Sequence, residues 1–249
     1  MIGKRSISIV DEDTNLRRTL SDILQLEGYD TFEAGTGKEA LAGLSSVPPS
    51  LTLIDLRLPD MPGLEVIAKI KEASPTTECL VLTGHSSQAS AIEAVNIGAY
   101  GYLLKPCNID QLLMTIRRAL EKQEVQDLHK RLATAVDQAA EAIIITDKEG
   151  NIQYVNPAFE RISGYAKEEA IGQNPRFLKS GKHDSVFYRS LWNTITGGSP
   201  WAGHFVNKKK SGELYDEEAT IAPVRDSAGT ITNFVAVKRD VTRERELER

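Results

Sequence analysis

Apolar residues in the first half of the chain follow two alternating rhythms. Short runs rich in apolar residues recur at Ile7–Val10, Tyr29–Ala34, Leu51–Asp55, Cys79–Thr83 and Gly101–Leu104. Their length and their content of branched side chains predict buried strands. Between them the period changes to that of a helix. Leu16, Leu20, Ile23 and Leu24 share one face before Gly28, which supplies a stop. Thr36 with Glu39 three residues later has the form of a capping box, opening a helix that carries Ala40, Leu41 and Leu44. Leu64, Ile67 and Ile70 mark a third helix, Ala89–Ile97 a fourth, and a last helix starts at Asn108. Five strands alternating with five helices predict an α/β domain with a doubly wound parallel sheet covered on both faces.

From Ile109 to about Ala139 the strand rhythm stops. Leu112, Ile116, Leu120, Val125, Leu128, Leu132 and Val136 lie three to five residues apart, close to a heptad seam. The first part belongs to the packed helix of the α/β domain. The remainder is a linker helix and a candidate coiled coil that would pair two chains. After Glu141 the pattern turns to hairpins: Ala142–Thr146, a turn over Asp147–Asn151, then Ile152–Asn156. A helix over Ser185–Ile195 precedes three longer strands at Ala202–Lys209, Glu213–Val224 and Ile231–Asp240, with turns at 211–212 and 227–229. This second region reads as α+β with an antiparallel sheet.

Composition adds exclusions. At 249 residues, 41% hydrophobic and 26% charged, the chain is suited to two ordinary packed domains. A net charge of −5 offers no broad phosphate-neutralising surface, which argues against nucleic acid as a partner. Lys208–Lys210 is a short run beside a hairpin turn and reads as a solvated loop. Cys79 and Cys107 lack metal-ligand spacing and read as reduced thiols. No apolar run reaches the roughly 20 residues that span a bilayer. The amino terminus lacks the form of a signal peptide, so the expected location is cytoplasmic.

The polar residues of the first half collect at strand ends. Asp11 and Glu12 follow the first strand, Asp55 ends the third, Thr83 ends the fourth and Lys105 follows the fifth. All fall at carboxyl ends of parallel strands, where open α/β sheets place their ligand sites. Three carboxylates converging there would repel one another without a cation, and hard oxygen ligands suit Mg²⁺. A carboxylate can take a phosphoryl group as an acyl phosphate, with Lys105 and the Thr83 hydroxyl serving two phosphoryl oxygens. Lys105 precedes Pro106, a step at which a cis bond is accessible.

The motifs SIVDED, LTLIDLRLPDMPG, VLTGHS and GYLLKP, in this order, resemble the response-regulator receiver family over Met1 to about Gln123. The resemblance implies a flavodoxin-like fold, Asp55 as phosphoacceptor, and Asp11, Glu12, Asp55 and the backbone carbonyl of Arg57 as Mg²⁺ ligands. It also implies Thr83 and Tyr102 as a switch pair, with a sensor histidine kinase or phosphotransfer protein as donor. Glu12 stands where the family more often has aspartate. Arg57 and His85 occupy positions that tune phosphoryl lifetime in the family.

AIIITDKEGNIQYVNPAFERISGY, NPRFLKSGKHD, the PWAGHFVNKKK strand and the closing VAVKRDVT resemble a PAS domain from about Leu132 onward. The expected organisation is therefore receiver over 1–123, linker helix over 124–138 and PAS with its exit segment over 139–249. Two flavin-binding subfamilies supply candidate contacts at Asn174, Trp201 and Asn207, while Asp216 and Lys238 replace amides expected on the last strands. Pro175 stands where the light-sensing subfamily has its adduct-forming cysteine, so that photochemistry is not expected. Haem, through His183 or His204, is the weaker alternative, and Trp192, Trp201 and Phe205 can equally be core. Two functions follow: a phosphorylation-controlled relay acting as a homodimer through linker and PAS, or a flavin redox sensor with a modulatory receiver. A third reading makes the chain part of a multidomain enzyme, since DVTRERELER resembles an exit helix. These residues hold no kinase, cyclase or helix-turn-helix signature, so no enzymatic output is expected of them.

Overall fold

The computed structural model describes residues 4–44, 48–84 and 88–247. It divides into two compact units, and the division falls between Leu128 and His129, inside a single long helix.

In the first unit, strands β1 (Ser6–Val10), β2 (Asp30–Ala34), β3 (Leu51–Ile54), β4 (Glu78–Thr83) and β5 (Gly101–Leu104) form a parallel sheet in the order β2-β1-β3-β4-β5. The buried runs Ile7–Val10, Leu51–Ile54 and Glu78–Thr83 have a direct cause, since both faces of these central strands are covered. Ile7, Ile9, Leu53, Leu80 and Leu82 point to one side and pack with Leu24 of α1 (Thr14–Leu26) and with Leu112 and Ile116 of α5 (Ile109–Asp137). Val10, Ile54 and Val81 point to the other. There they meet Ala40 of α2 (Gly37–Gly43), Val66, Ile67 and Ile70 of α3 (Gly63–Ala73) and Ala94 of α4 (Gln88–Asn96). Cys79 lies in this second layer, where burial pushes its thiol up to about 12. The capping box at α2 forms with a shift. The Thr36 hydroxyl accepts from the Glu39 N–H at 3.1 Å, but the Glu39 carboxylate accepts from Gly35, one residue before the cap.

Helix α5 carries two kinds of face. Leu112, Ile116, Ala119 and Leu120 are buried against the sheet, and the apolar positions then become exposed: Val125 52%, Leu128 52%, Leu132 55%.

The second unit is an antiparallel sheet in the order β7-β6-β10-β9-β8, built from β6 (Ala142–Asp147), β7 (Ile152–Val155), β8 (Trp201–Lys208), β9 (Leu214–Arg225) and β10 (Ile231–Asp240). Its covering helices are α6 (Pro157–Ser163), α7 (Lys167–Ala170) and α8 (Ser185–Thr196), with a 3₁₀ turn at Pro175–Leu178. Asn156, fully buried, organises the entry to this unit. Its amide nitrogen donates to the carbonyls of Val136 and Glu141, both at 3.0 Å, and its oxygen accepts from Ile143 at 2.9 Å and Phe159 at 3.2 Å. One side chain thus ties the end of α5 to the start of β6 and caps α6. Tyr154 adds a hydroxyl bond to Asp137 at 2.7 Å. Because Asn156→Ala strips partners from several buried backbone groups, we expect it to destabilise the second unit by at least about 2 kcal/mol. Urea unfolding of the intact chain checks this.

Candidate functional site

Register explains why the polar residues of the first unit meet. Val10 pairs with Ile54, so the next residues, Asp11 and Asp55, emerge side by side. Thr83 pairs with Leu104, so Lys105 emerges one step beyond. The sheet order reverses between β2-β1 and β3-β4-β5, and this switch point is where open α/β sheets hold ligands. Asp11 is 3% exposed and Asp55 8%. The Lys105 ammonium bridges Oδ2 of both carboxylates. Asp55 Oδ1 accepts from the Thr83 hydroxyl at 2.8 Å and from the Arg57 N–H at 3.0 Å. The Lys105–Pro106 bond is cis.

Of the three carboxylates expected to converge, the structure brings two together. Glu12 lies exposed beside them, and the cation between Asp11 and Asp55 is Lys105 itself. Among the described residues no group of three His, Cys, Asp or Glu side chains is set out as a metal cage. The donor chemistry still fits Mg²⁺, which takes one or two protein carboxylates and keeps several waters. Asp11 and Asp55 are the residues that would hold it. Tyr102, half-buried on β5, packs against the Val81 and Ala94 side of the core. His85 lies outside the described residues.

Two features missed from sequence shape the site. Arg17 donates to the carbonyls of Asp11 at 2.6 Å and Glu12 at 3.2 Å, clamping the backbone of the acidic pair. Its place one helical turn after Asp13, the cap of α1, was the available signal. Gly63 is the second. A Cβ there would stand 2.1 Å from the Asp55 carbonyl oxygen, so α3 can start against the end of β3 only without a side chain. The intervening loop is held by Asp60, whose carboxylate accepts from the Gly37 and Lys38 N–H groups at 2.8 and 2.9 Å.

In the second unit Asn174 and Asn207 both line a cavity of about 560 Å³. Each amide is already engaged: Asn174 donates to the Gly150 carbonyl at 3.0 Å and accepts from Arg176, and Asn207 donates to Glu217 at 2.7 Å. Trp201 departs from expectation. It does not line the cavity but packs with Phe187 and Phe205, at centroid distances of 5.6 and 5.2 Å, because it opens β8 beyond the strand's cavity-facing residues. Asp216, which stands where an amide is expected, lies off the cavity lining. The alternation of β9 turns it toward His204, at 2.8 Å, and buries its neighbour Glu217 against Lys238 instead. His183 and His204 lie off the cavity lining, and His183 Nε2 accepts from the Val206 N–H at 2.9 Å.

Comparison with known proteins follows this division. Residues 7–117 match the family model of the response regulator receiver domain, and residues 140–243 match that of the PAS domain. The chain carries a receiver domain of the response-regulator family followed by a PAS domain. It is similar to the regulatory protein AtoC of Escherichia coli (strain K12), 33% identical over 139 residues, which are 54% of this chain and 30% of AtoC. A nitrogen fixation regulatory protein of Klebsiella oxytoca is 38% identical over 109 residues, 44% of this chain and 22% of that protein. Among solved structures, NtrX from Brucella abortus in complex with ADP is 29% identical with a TM-score of 0.50, covering 52% of this chain and 30% of NtrX. The chain therefore spans less than a third of each of these relatives. No helix among the described residues is long and apolar enough to cross a membrane.

Burial raises the Asp55 carboxyl, but Lys105, the Arg57 N–H and the Thr83 hydroxyl together hold it below the ordinary value of 3.8. Burial likewise lowers Lys105, yet Asp11 and Asp55 hold it above 10.5. A depressed carboxyl contributes stability above its unfolded value and loses it as pH falls through the folded one. A raised lysine contributes below its unfolded value and loses it as pH rises through the folded one. The metal-free receiver should therefore weaken on acidification below about pH 4. In Lys105→Met the two carboxylates face each other without a cation and their affinity for a proton rises. That variant should gain stability from pH 7 to about pH 5, a range over which the wild-type pair does not titrate, in chelator-treated denaturation series.

Proposed function

We propose that this chain is a phosphorylation-controlled signalling module in which Asp55 accepts a phosphoryl group from a histidine kinase or phosphotransfer protein. The observation that carries the reading is the bridged pair: two buried carboxylates and one lysine at the switch point of a parallel sheet. Asp55 Oδ1 is held by Thr83 and Arg57, which leaves Oδ2, held by Lys105, as the nucleophile. That oxygen attacks phosphorus, an O–P bond forms, and the P–N bond to the donor imidazole breaks. With acetyl phosphate the leaving group is acetate. Lys105 then follows the phosphoryl oxygens, and the Thr83 hydroxyl turns from Asp55 to one of them. Asp11, Asp55 and the Arg57 carbonyl, with Glu12 beside them, would hold Mg²⁺, which when bound would offset charge on the transferring group. Movement of Thr83 draws Tyr102 inward and changes the surface formed by α4, β5 and α5.

The change is passed along α5 to the PAS domain, whose cavity is a site for a small-molecule signal. Val125, Leu128 and Leu132 are spaced by three and four residues on one exposed stripe, which supports a homodimeric coiled coil. The location in this reading is the cytoplasm, where histidine kinases present their phosphoryl groups.

With acetyl phosphate and Mg²⁺, intact-mass measurement should show one phosphoryl adduct on the wild type and none on Asp55→Asn. Equal labelling of the variant would sink the assignment. Leu128→Lys combined with Leu132→Lys should convert a dimer to monomer in sedimentation equilibrium, whereas a monomeric wild type at the same concentration would remove the coiled coil.

A further inference from the structure

Strand β8 ends the PAS sheet, and an edge strand leaves a row of backbone donors and acceptors without a partner strand. Residues 179–184, between the 3₁₀ turn and α8, run along that edge as a strap. Lys179 forms an isolated antiparallel bridge with Asn207. Both backbone groups of Val206 are then taken by side chains of the strap. The Ser180 hydroxyl donates to its carbonyl, and His183 Nε2 accepts from its N–H at 2.9 Å. The His183 ring stacks on Phe187 with centroids 4.2 Å apart and meets Phe205 edge-on at 6.0 Å.

The bond to Val206 constrains the protonation state of the imidazole. A backbone N–H can only donate, so Nε2 must carry a lone pair and the ring must be neutral. A proton on Nε2 would set two donors against each other. Among the groups around the ring, Asp184 favours the protonated form, but its carboxylate already accepts from the Phe187 N–H at 2.8 Å as the cap of α8. From β8, His204 opposes it, and the Asp216 carboxylate of β9 is directed to His204, at 2.8 Å. Tyr188 meets the ring edge-on at 6.3 Å, and burial keeps its phenol above the ordinary value of 10.0. The Lys179 ammonium lies over the Tyr188 ring at 3.5 Å, and Lys182 is exposed in the strap itself. Burial and His204 outweigh Asp184 and hold His183 below the usual 6.5.

We propose that residues 179–184 are an acid-released latch: neutral His183 holds them on the edge of β8, and protonation of the ring frees them and uncovers the Val206 backbone. The proton comes from solvent and takes the Nε2 lone pair as the bond to Val206 breaks. A histidine with a depressed folded value contributes stability above its unfolded value and loses it as pH falls through the folded one. The latch is therefore closed at neutral pH and opens progressively below about pH 6. It depends neither on phosphorylation of Asp55 nor on any occupant of the cavity. In the open form β8 presents free edge groups, the kind that another strand can pair with.

The test is amide exchange at Val206, read by heteronuclear NMR on the full chain at about pH 7.5 and about pH 5. Corrected for its intrinsic pH dependence, exchange should speed up several-fold on acidification. The ceiling is about 30-fold, set by a histidine of ordinary value in the open strap. The midpoint should coincide with titration of the His183 ring protons. Val235, on the central strand β10, should keep its protection. His183→Phe keeps an aromatic ring on Phe187 and removes the acceptor, so Val206 should exchange fast at both pH values. Titration of the His183 ring with no loss of protection at Val206 overturns the latch, whether or not the variant folds. Equal loss at Val235, the mark of general acid unfolding, overturns it too. So does protection in His183→Phe that persists, or that still falls with acid as in the wild type.

Discussion

Two carboxylates brought side by side by a parallel sheet repel each other, and in this chain Lys105 makes their proximity tolerable. Asp11 and Asp55 cannot avoid one another, because the pairing of Val10 with Ile54 determines where the next residue of each strand emerges. Their burial raises the cost of charge, and the ammonium from the end of β5 offsets it. The supports around this triad follow from the same constraint. Arg17 clamps the acidic backbone, Gly63 lets α3 close against β3, and Asp60 ties the intervening loop to α2. A site built on tension between like charges is one in which a further charge has a large effect. That is the physical basis for reading it as a switch.

The second unit meets a similar difficulty in another way. Lys238 and Glu217 are both nearly inaccessible and satisfy each other, with Asn207 as a third member. Such a pair adds little to stability compared with apolar packing, but removal of one partner is costly. It leaves one buried ammonium on the lining of the cavity. Asn156 does the corresponding work at the junction, where four hydrogen bonds hold the end of α5 to the first strand and helix that follow it. The last turn of α5 is thereby part of the PAS unit's own hydrogen-bonded structure.

How much of this was legible depends on whether a feature is periodic or positional. The parallel sheet was legible because strands covered on both faces tend to be apolar at consecutive positions, as Cys79–Leu82 are. The site residues were legible because strand ends are where ligands go, and each of Asp11, Asp55, Thr83 and Lys105 sits at one. The convergence of Glu12 was not, since a residue one step past a strand end can turn either way. The phase of β9 was not legible, since a strand with acids at 216, 217 and 218 offers no polarity contrast to show which of them is buried; the structure buries Glu217. Trp201 was a candidate ligand contact through the resemblance of its segment, with core packing as the alternative, and its ring packs with Phe187 and Phe205.

The sequence by itself determined the order of elements, the two-domain plan and the identity of the acidic strand ends, because these depend on local period and on residues adjacent in the chain. Only the tertiary structure decided which carboxylates meet, what separates them, and which face of the PAS sheet each charged residue occupies. Those outcomes depend on strand register and on burial, and both are set by contacts between residues tens of positions apart.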